Sequence, residues 1–207
     1  MRKFVRFFGV SSSTSVLDLG GSPFIWELAG VRPARLTILN LSTADFPPGT
    51  WFEAVTGDAC EVSFPDKCFD VVFSNSVIEH LGARERQRQF AAECMRCGRG
   101  FFVQTPNKWF PIDTHTLMPV AHWFPRLFRR LIRFSPRALI SKMTEMDVAD
   151  LRGLRLLGKS EMQELFPGAM IVEEKFLGLT KSLIAVYVAP CLSPTDSGVN
   201  QAHSRTP

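Results

Sequence analysis

Short apolar runs alternate with amphipathic stretches along most of the chain. Residues 16–19, Arg35–Asn40, 52–55, 69–73 and 100–104 are brief apolar runs without a polar alternate face, the pattern of strands buried on both sides. Of these, 69–73 is the clearest. Between them, Pro23–Ala29 begins with a proline suited to a first helical turn. Arg84–Cys97 places Phe90, Ala91, Cys94 and Met95 on one helical face and its charges on the other. Phe4, Phe7 and Phe8, at i, i+3, i+4 spacing, predict a short amphipathic helix within residues 1–15. A later helix is expected over 159–166, with Ser160 as its N-cap and Pro167-Gly168 as its stop. Pro47-Pro48-Gly49 and Phe64-Pro65-Asp66-Lys67 read as loop and turn. Two final strands, 169–176 and 182–188, are joined by a short glycine-containing link and are expected to be antiparallel.

This order predicts a three-layer α/β sandwich around a doubly wound, mostly parallel seven-stranded sheet with an antiparallel C-terminal strand pair. Residues 1–188 form one expected domain, 106–158 a helical basic insertion in it, and 189–207 a polar, disordered tail.

Composition narrows this picture. A chain of 207 residues, 45% hydrophobic, is long enough for one full core. No run approaches the ~20 apolar residues of a membrane span. The basic start lacks the apolar stretch of a secretory leader. Five scattered cysteines, an odd number, fit a reducing, cytoplasmic setting better than a disulfide framework. Cys94 and Cys97 form a C-x-x-C at a helix end without a second pair at zinc spacing, so no metal is expected.

The net charge of +4 is local. Residues 117–142 hold five arginines, one lysine and no acid; without those six cations the rest sums to −2. In Arg126–Arg133 the arginines recur at i, i+3, i+4, i+7, interleaved with Leu127, Phe128, Leu131 and Ile132. Three readings stand: a lid helix with solvated arginines, a membrane-surface helix over 126–137, or a clamp for an anionic substrate. No nucleic-acid-binding motif accompanies the arginines.

Polar and glycine positions gather at predicted strand ends, where open α/β sheets bind ligands. They are Asp18-Leu19-Gly20-Gly21, Asn40-Leu41-Ser42, Gly57-Asp58-Ala59, and the run after strand four, Ser74-Asn75 followed by Glu79-His80-Leu81. With Phe64-Pro65-Asp66-Lys67-Cys68-Phe69-Asp70-Val71-Val72 between the last two, and Gln104-Thr105-Pro106-Asn107 and Leu165-Phe166-Pro167 further on, this resembles class I S-adenosylmethionine-dependent methyltransferases of the type 11 group.

The resemblance implies S-adenosyl-L-methionine as cofactor and a role for each position. Asp18 would lie near the cofactor's amino-acid end, with Gly20 and Gly21 giving close backbone approach. Asn40 stands where an acid usually takes the ribose hydroxyls, and Leu41 would flank the adenine. Asp58 would accept from the adenine amino group and the Ala59 amide would read a ring nitrogen. Ser74 and Asn75 would line the methionine arm. Two departures stand out: Ser22 and Phe24 replace the later glycines of the usual loop, and Asn40 is neutral. They motivate a second reading, a binding or scaffold protein that keeps the fold without the activity.

Methyl transfer from an activated donor depends mostly on alignment, worth roughly 7–11 kcal/mol, with a general base adding about 10²–10⁴-fold. Glu79, His80, Asp113 and His115 follow strands four and five and are the candidates, His115 foremost because imidazole titrates near neutrality. The expected acceptor is a small molecule, lipid-linked or anionic.

Overall fold

The computed structural model describes residues 1–47, 51–112, 118–120, 123, 130–131, 134–136, 151 and 153–190. In chain order they form α1 (Arg2–Phe8), β1 (Ser15–Leu19), α2 (Pro23–Ala29), β2 (Arg35–Asn40), β3 (Glu53–Thr56), β4 (Phe69–Asn75), a 3-10 turn (Ile78–Leu81), α3 (Arg84–Cys97), β5 (Gly98–Pro106), α4 (Lys159–Leu165), β6 (Met170–Phe176) and β7 (Leu179–Tyr187).

The seven strands form one sheet in the order β3-β2-β1-β4-β5-β7-β6. β1 to β5 run parallel, and β7 pairs antiparallel with both β5 and β6. The order reverses between β1 and β4, so a crevice opens there beyond the strands' carboxyl ends.

Alternation along the strands builds two cores. Val16, Ile38, Val71, Phe73, Phe102 and Ile184 face the side covered by α1 and α2. Leu17, Leu39, Val72, Phe101, Val103 and Leu183 face α3 and α4. The first core is aromatic: Phe4 of α1 lies 5.8 Å from Trp26, 4.8 Å from Phe73 and 5.6 Å from Phe102, ring centre to ring centre. Phe4 and Trp26 are both fully buried and Phe8 nearly so, so the short N-terminal helix is pinned by two rings and serves as a wall of the core.

Expected and observed bounds coincide for α2, β2 and α3, which are marked off by proline, glycine or polar residues. β4 and β5 run further than expected. β5 continues through Pro106, which pairs with Ser182 without needing an N–H. The N-cap of α4 is Gly158, not Ser160; Glu161 reaches back and accepts from the Gly158 N–H at 2.9 Å. Residues 191–207 of the tail expected over 189–207, and most of the 106–158 insertion, lie outside the described residues. Among the described residues no helix is long and apolar enough to cross a membrane. Cys94 and Cys97 are buried against the sheet; burial pushes the Cys94 thiol well above its ordinary value and that of Cys97 up to about 11.

Candidate active site

The turn after β1 is the tightest part of the crevice. The Gly20 N–H donates to the Leu39 carbonyl at 2.7 Å, which draws the chain across the end of β2. Gly20 has φ +76°, and a Cβ there would lie 2.7 Å from a Val77 methyl. Glycine is therefore required by backbone and neighbour alike.

Beneath this turn Asp18 is fully enclosed. Its Oδ2 accepts from the Trp26 indole N–H at 2.7 Å, while Oδ1 has no hydrogen-bond partner among the described residues. A Cβ on Gly21 would lie 1.9 Å from Oδ2, so the turn sits directly on the carboxylate. Burial pushes the Asp18 carboxyl up to about 7, against the opposing effect of the Trp26 hydrogen bond.

Asn40 clasps the same turn from the end of β2. Its Nδ2 donates to the Gly21 carbonyl at 3.0 Å and its Oδ1 accepts from the Leu41 N–H at 2.8 Å. A carboxylate could make only the second of these bonds. The neutral residue is thus matched to a loop that lacks two of its usual glycines, and Phe24, in one of those places, points into solvent at 66% exposure.

Beyond β3, Asp58 closes a small turn by accepting from the Cys60 N–H at 2.8 Å, and its other oxygen pairs with Arg86 of α3 at 2.6 Å. The Cys60 backbone bond foremost, with Arg86 beside it, holds the Asp58 carboxyl below its ordinary value. These elements surround a cleft of about 260 Å³. Gly20, Asn40, Leu41, Asp58, Ala59 and His80 line it, together with Leu39, Gly57, Ser76, Val77, Leu81 and Arg86.

The remaining expected residues do not line this cleft. Asp18 lies under its floor, and Gly21 and Asn75 are partly exposed beside it. Ser74 is fully buried, and its hydroxyl donates to the Leu19 carbonyl at 2.8 Å, tying β4 to β1. Glu79 is also fully buried; its Oε2 accepts from the Thr105 hydroxyl at 2.9 Å, and its carbonyl accepts from the Arg155 N–H. His115 and Asp113 lie outside the described residues. Ser76, Val77, Leu81 and Arg86 escaped sequence reasoning. Ser76 has φ +58°, a backbone feature with no mark in the sequence, and Arg86 meets Asp58 only because the first turn of α3 comes beside the turn that follows β3.

Comparison with known proteins agrees with this geometry. Residues 12–100 match the family model described as a methyltransferase domain. No curated protein matches the sequence. Among solved structures, the PH0226 protein of Pyrococcus horikoshii OT3 is 18% identical, with 91% of this chain and 86% of that chain covered and a TM-score of 0.55. A methyltransferase from Methanosarcina mazei, described as SAM-dependent, is 13% identical, covering 90% and 95% of the two chains with a TM-score of 0.54. A putative methyltransferase in complex with the Haloferax volcanii Trm112 methyltransferase activator is 14% identical, covering 91% and 88%, with a TM-score of 0.55. At these identities the solved structures carry the fold. The match over residues 12–100, in a fold shared with proteins described as SAM-dependent methyltransferases, supports a class I S-adenosylmethionine-dependent methyltransferase of the type 11 group. Solved structures of this fold are described as SAM-dependent, so the cofactor named for those proteins is S-adenosyl-L-methionine. The cleft suits the nucleoside part of that molecule, with apolar walls from Leu39, Leu41, Val77 and Leu81 beside one acid and one amide.

Proposed function

We propose that this methyltransferase acts on a small-molecule acceptor, lipid-linked or anionic, and that the cleft at the ends of β1, β2 and β3 receives the adenosine part of the cofactor. The single observation that carries the reading is the convergence of Gly20, Asn40, Asp58 and His80 on one cleft at the sheet's switch point. Bound there, the sulfonium supplies an activated methyl group. Asp58 takes the adenine amino group, and the Ala59 amide and Leu41 side chain meet the ring. Asn40 offers its oxygen toward the ribose while its amide N–H holds Gly21. Asp18 acts from below by shaping the turn.

For the general base the geometry supports His80 over Glu79. His80 faces the cleft, whereas Glu79 is enclosed and hydrogen-bonded to Thr105, which suits positioning of the 3-10 turn. His115, foremost from the sequence, lies outside the described residues and stays a candidate beside His80. Turnover of an accepted substrate by His80→Ala and His115→Ala separates them: the base variant loses about 10²–10⁴-fold in kcat with cofactor affinity retained. Both variants at the wild-type rate would remove base catalysis from the reading.

A scaffold role is the second reading. The observation that favours it is that both Asp58 oxygens are already engaged, by Cys60 and Arg86. Cofactor binding without turnover on any acceptor class would support it.

A further inference from the structure

Apolar side chains gather at the surface beside the carboxyl end of β5. Asn107 donates from its N–H to the Lys181 carbonyl and from Nδ2 to the Thr180 carbonyl, each at 2.9 Å, so the segment after β5 is fixed close to the turn of the β6–β7 hairpin. Phe110 meets Phe176 edge to face at 6.5 Å. Trp123 donates from its indole to the Lys108 carbonyl at 2.7 Å, which fastens a later segment to the same place. Trp109, Ile112, Trp123, Phe176, Leu177 and Leu179 are all exposed across this rim, Leu177 at 87%.

The hairpin tip opposes local preference. Leu177 and Gly178 form a two-residue connection in which both have positive φ, +49° and +81°. Asparagine-glycine is the pairing such a turn favours, and a γ-branched leucine there is strained and unburied. Neither folding nor the local backbone accounts for a leucine at this point.

The surroundings are cationic. Lys175 and Lys181 flank the tip and are exposed, while the hairpin's acids are engaged: Glu173 with Lys159 at 2.7 Å and Glu174 with Lys3 at 2.9 Å. Further along the sequence, residues 126–142 hold six cations and no acid. Exposed tryptophan, phenylalanine and leucine beside exposed Lys175 and Lys181 match a bilayer interface, where rings and aliphatic groups enter the headgroup boundary and lysine meets anionic lipid.

We infer that the β6–β7 hairpin tip and the adjoining rim of Trp109, Ile112 and Trp123 dock this protein on anionic lipid bilayers. The rim lies at the carboxyl end of β5, the end of the parallel strands on which the cleft opens, so a docked molecule takes its acceptor from the lipid surface. The origin of the acceptor rests on the methyltransferase reading above; the docking does not.

The test is sedimentation of the full chain with vesicles of mixed phosphatidylglycerol and phosphatidylcholine, against vesicles of phosphatidylcholine alone. The wild type partitions at least about tenfold more strongly onto the anionic vesicles. Phe176→Ser combined with Leu177→Asn, the latter suited to a positive-φ turn, lowers that partitioning by about tenfold or more while thermal unfolding stays unchanged. Equal binding to both vesicle types, or full binding by the double variant, overturns the inference. So does a wild-type dimer in lipid-free buffer that the double variant dissociates, since the rim would then join two copies. Cofactor titration of the same samples reports separately on the methyltransferase reading.

Discussion

The indole N–H of Trp26 donates to Oδ2 of Asp18 at 2.7 Å, and this bond forms the underside of the glycine turn. The carboxyl it holds is buried and pushed up to about 7 from 3.8. In the unfolded chain it loses its proton near 3.8, whereas the folded protein keeps it to about 7. Folding therefore takes up a proton between these values, and stability falls as pH rises from about 4 to 7, then levels off. At about 1.4 kcal/mol per unit the loss is on the order of 4 kcal/mol. Asp18→Asn flattens this part of the profile. Urea unfolding of both proteins at pH 5 and pH 8 checks it; equal pH dependence would show that Asp18 is ionised throughout.

The Asn40 amide explains why the usual acid is absent. Asn40→Asp replaces the donor to the Gly21 carbonyl with a second acceptor, and is expected to destabilise the fold by about 1–2 kcal/mol. Chemical denaturation measures this. A stabilised variant would mean that the clasp does not hold the turn.

Asp58 has a structural and a ligand-facing role that two substitutions separate. Asp58→Asn keeps an acceptor for the Cys60 N–H but loses the charge opposite Arg86. Asp58→Ala loses both. The alanine variant is expected to weaken S-adenosylmethionine binding by about tenfold or more, with asparagine intermediate. Calorimetry on the folded variants gives the order, and unchanged affinity in both would place the adenine elsewhere.

Phe4 joins α1 to the sheet through Trp26, Phe73 and Phe102. Phe4→Ala is expected to cost about 3–5 kcal/mol, the range for emptying a fully buried aromatic site. A smaller loss in an unfolding titration would show that α1 is a detachable cover.

The sheet was legible in the sequence because its strands are short apolar runs bounded by glycine, proline or polar residues, and because Pro23 and the face of Phe90, Ala91 and Cys94 mark two helices. The cleft was legible only where motif and surface coincide, at Gly20, Asn40, Asp58 and His80. Ser74 and Glu79 are polar residues at strand ends as well, yet each is drawn inward by a long-range partner, Leu19 and Thr105. Arg86 was hidden for the converse reason: it reads as a solvated helix charge until the start of α3 is set beside the Asp58 turn. The cap of α4 was misplaced because a serine competes poorly with a Glu161 side chain that reaches back to Gly158 and is also held by Lys108 and Arg155.

Titration of the full-length protein with S-adenosylmethionine in a calorimeter tests the central claim most directly. The cleft bounded by Gly20, Asn40 and Asp58 is expected to bind one cofactor per chain with a Kd of about 1–100 μM, and Asp58→Ala to weaken it. No binding of the wild type at millimolar cofactor would contradict the account.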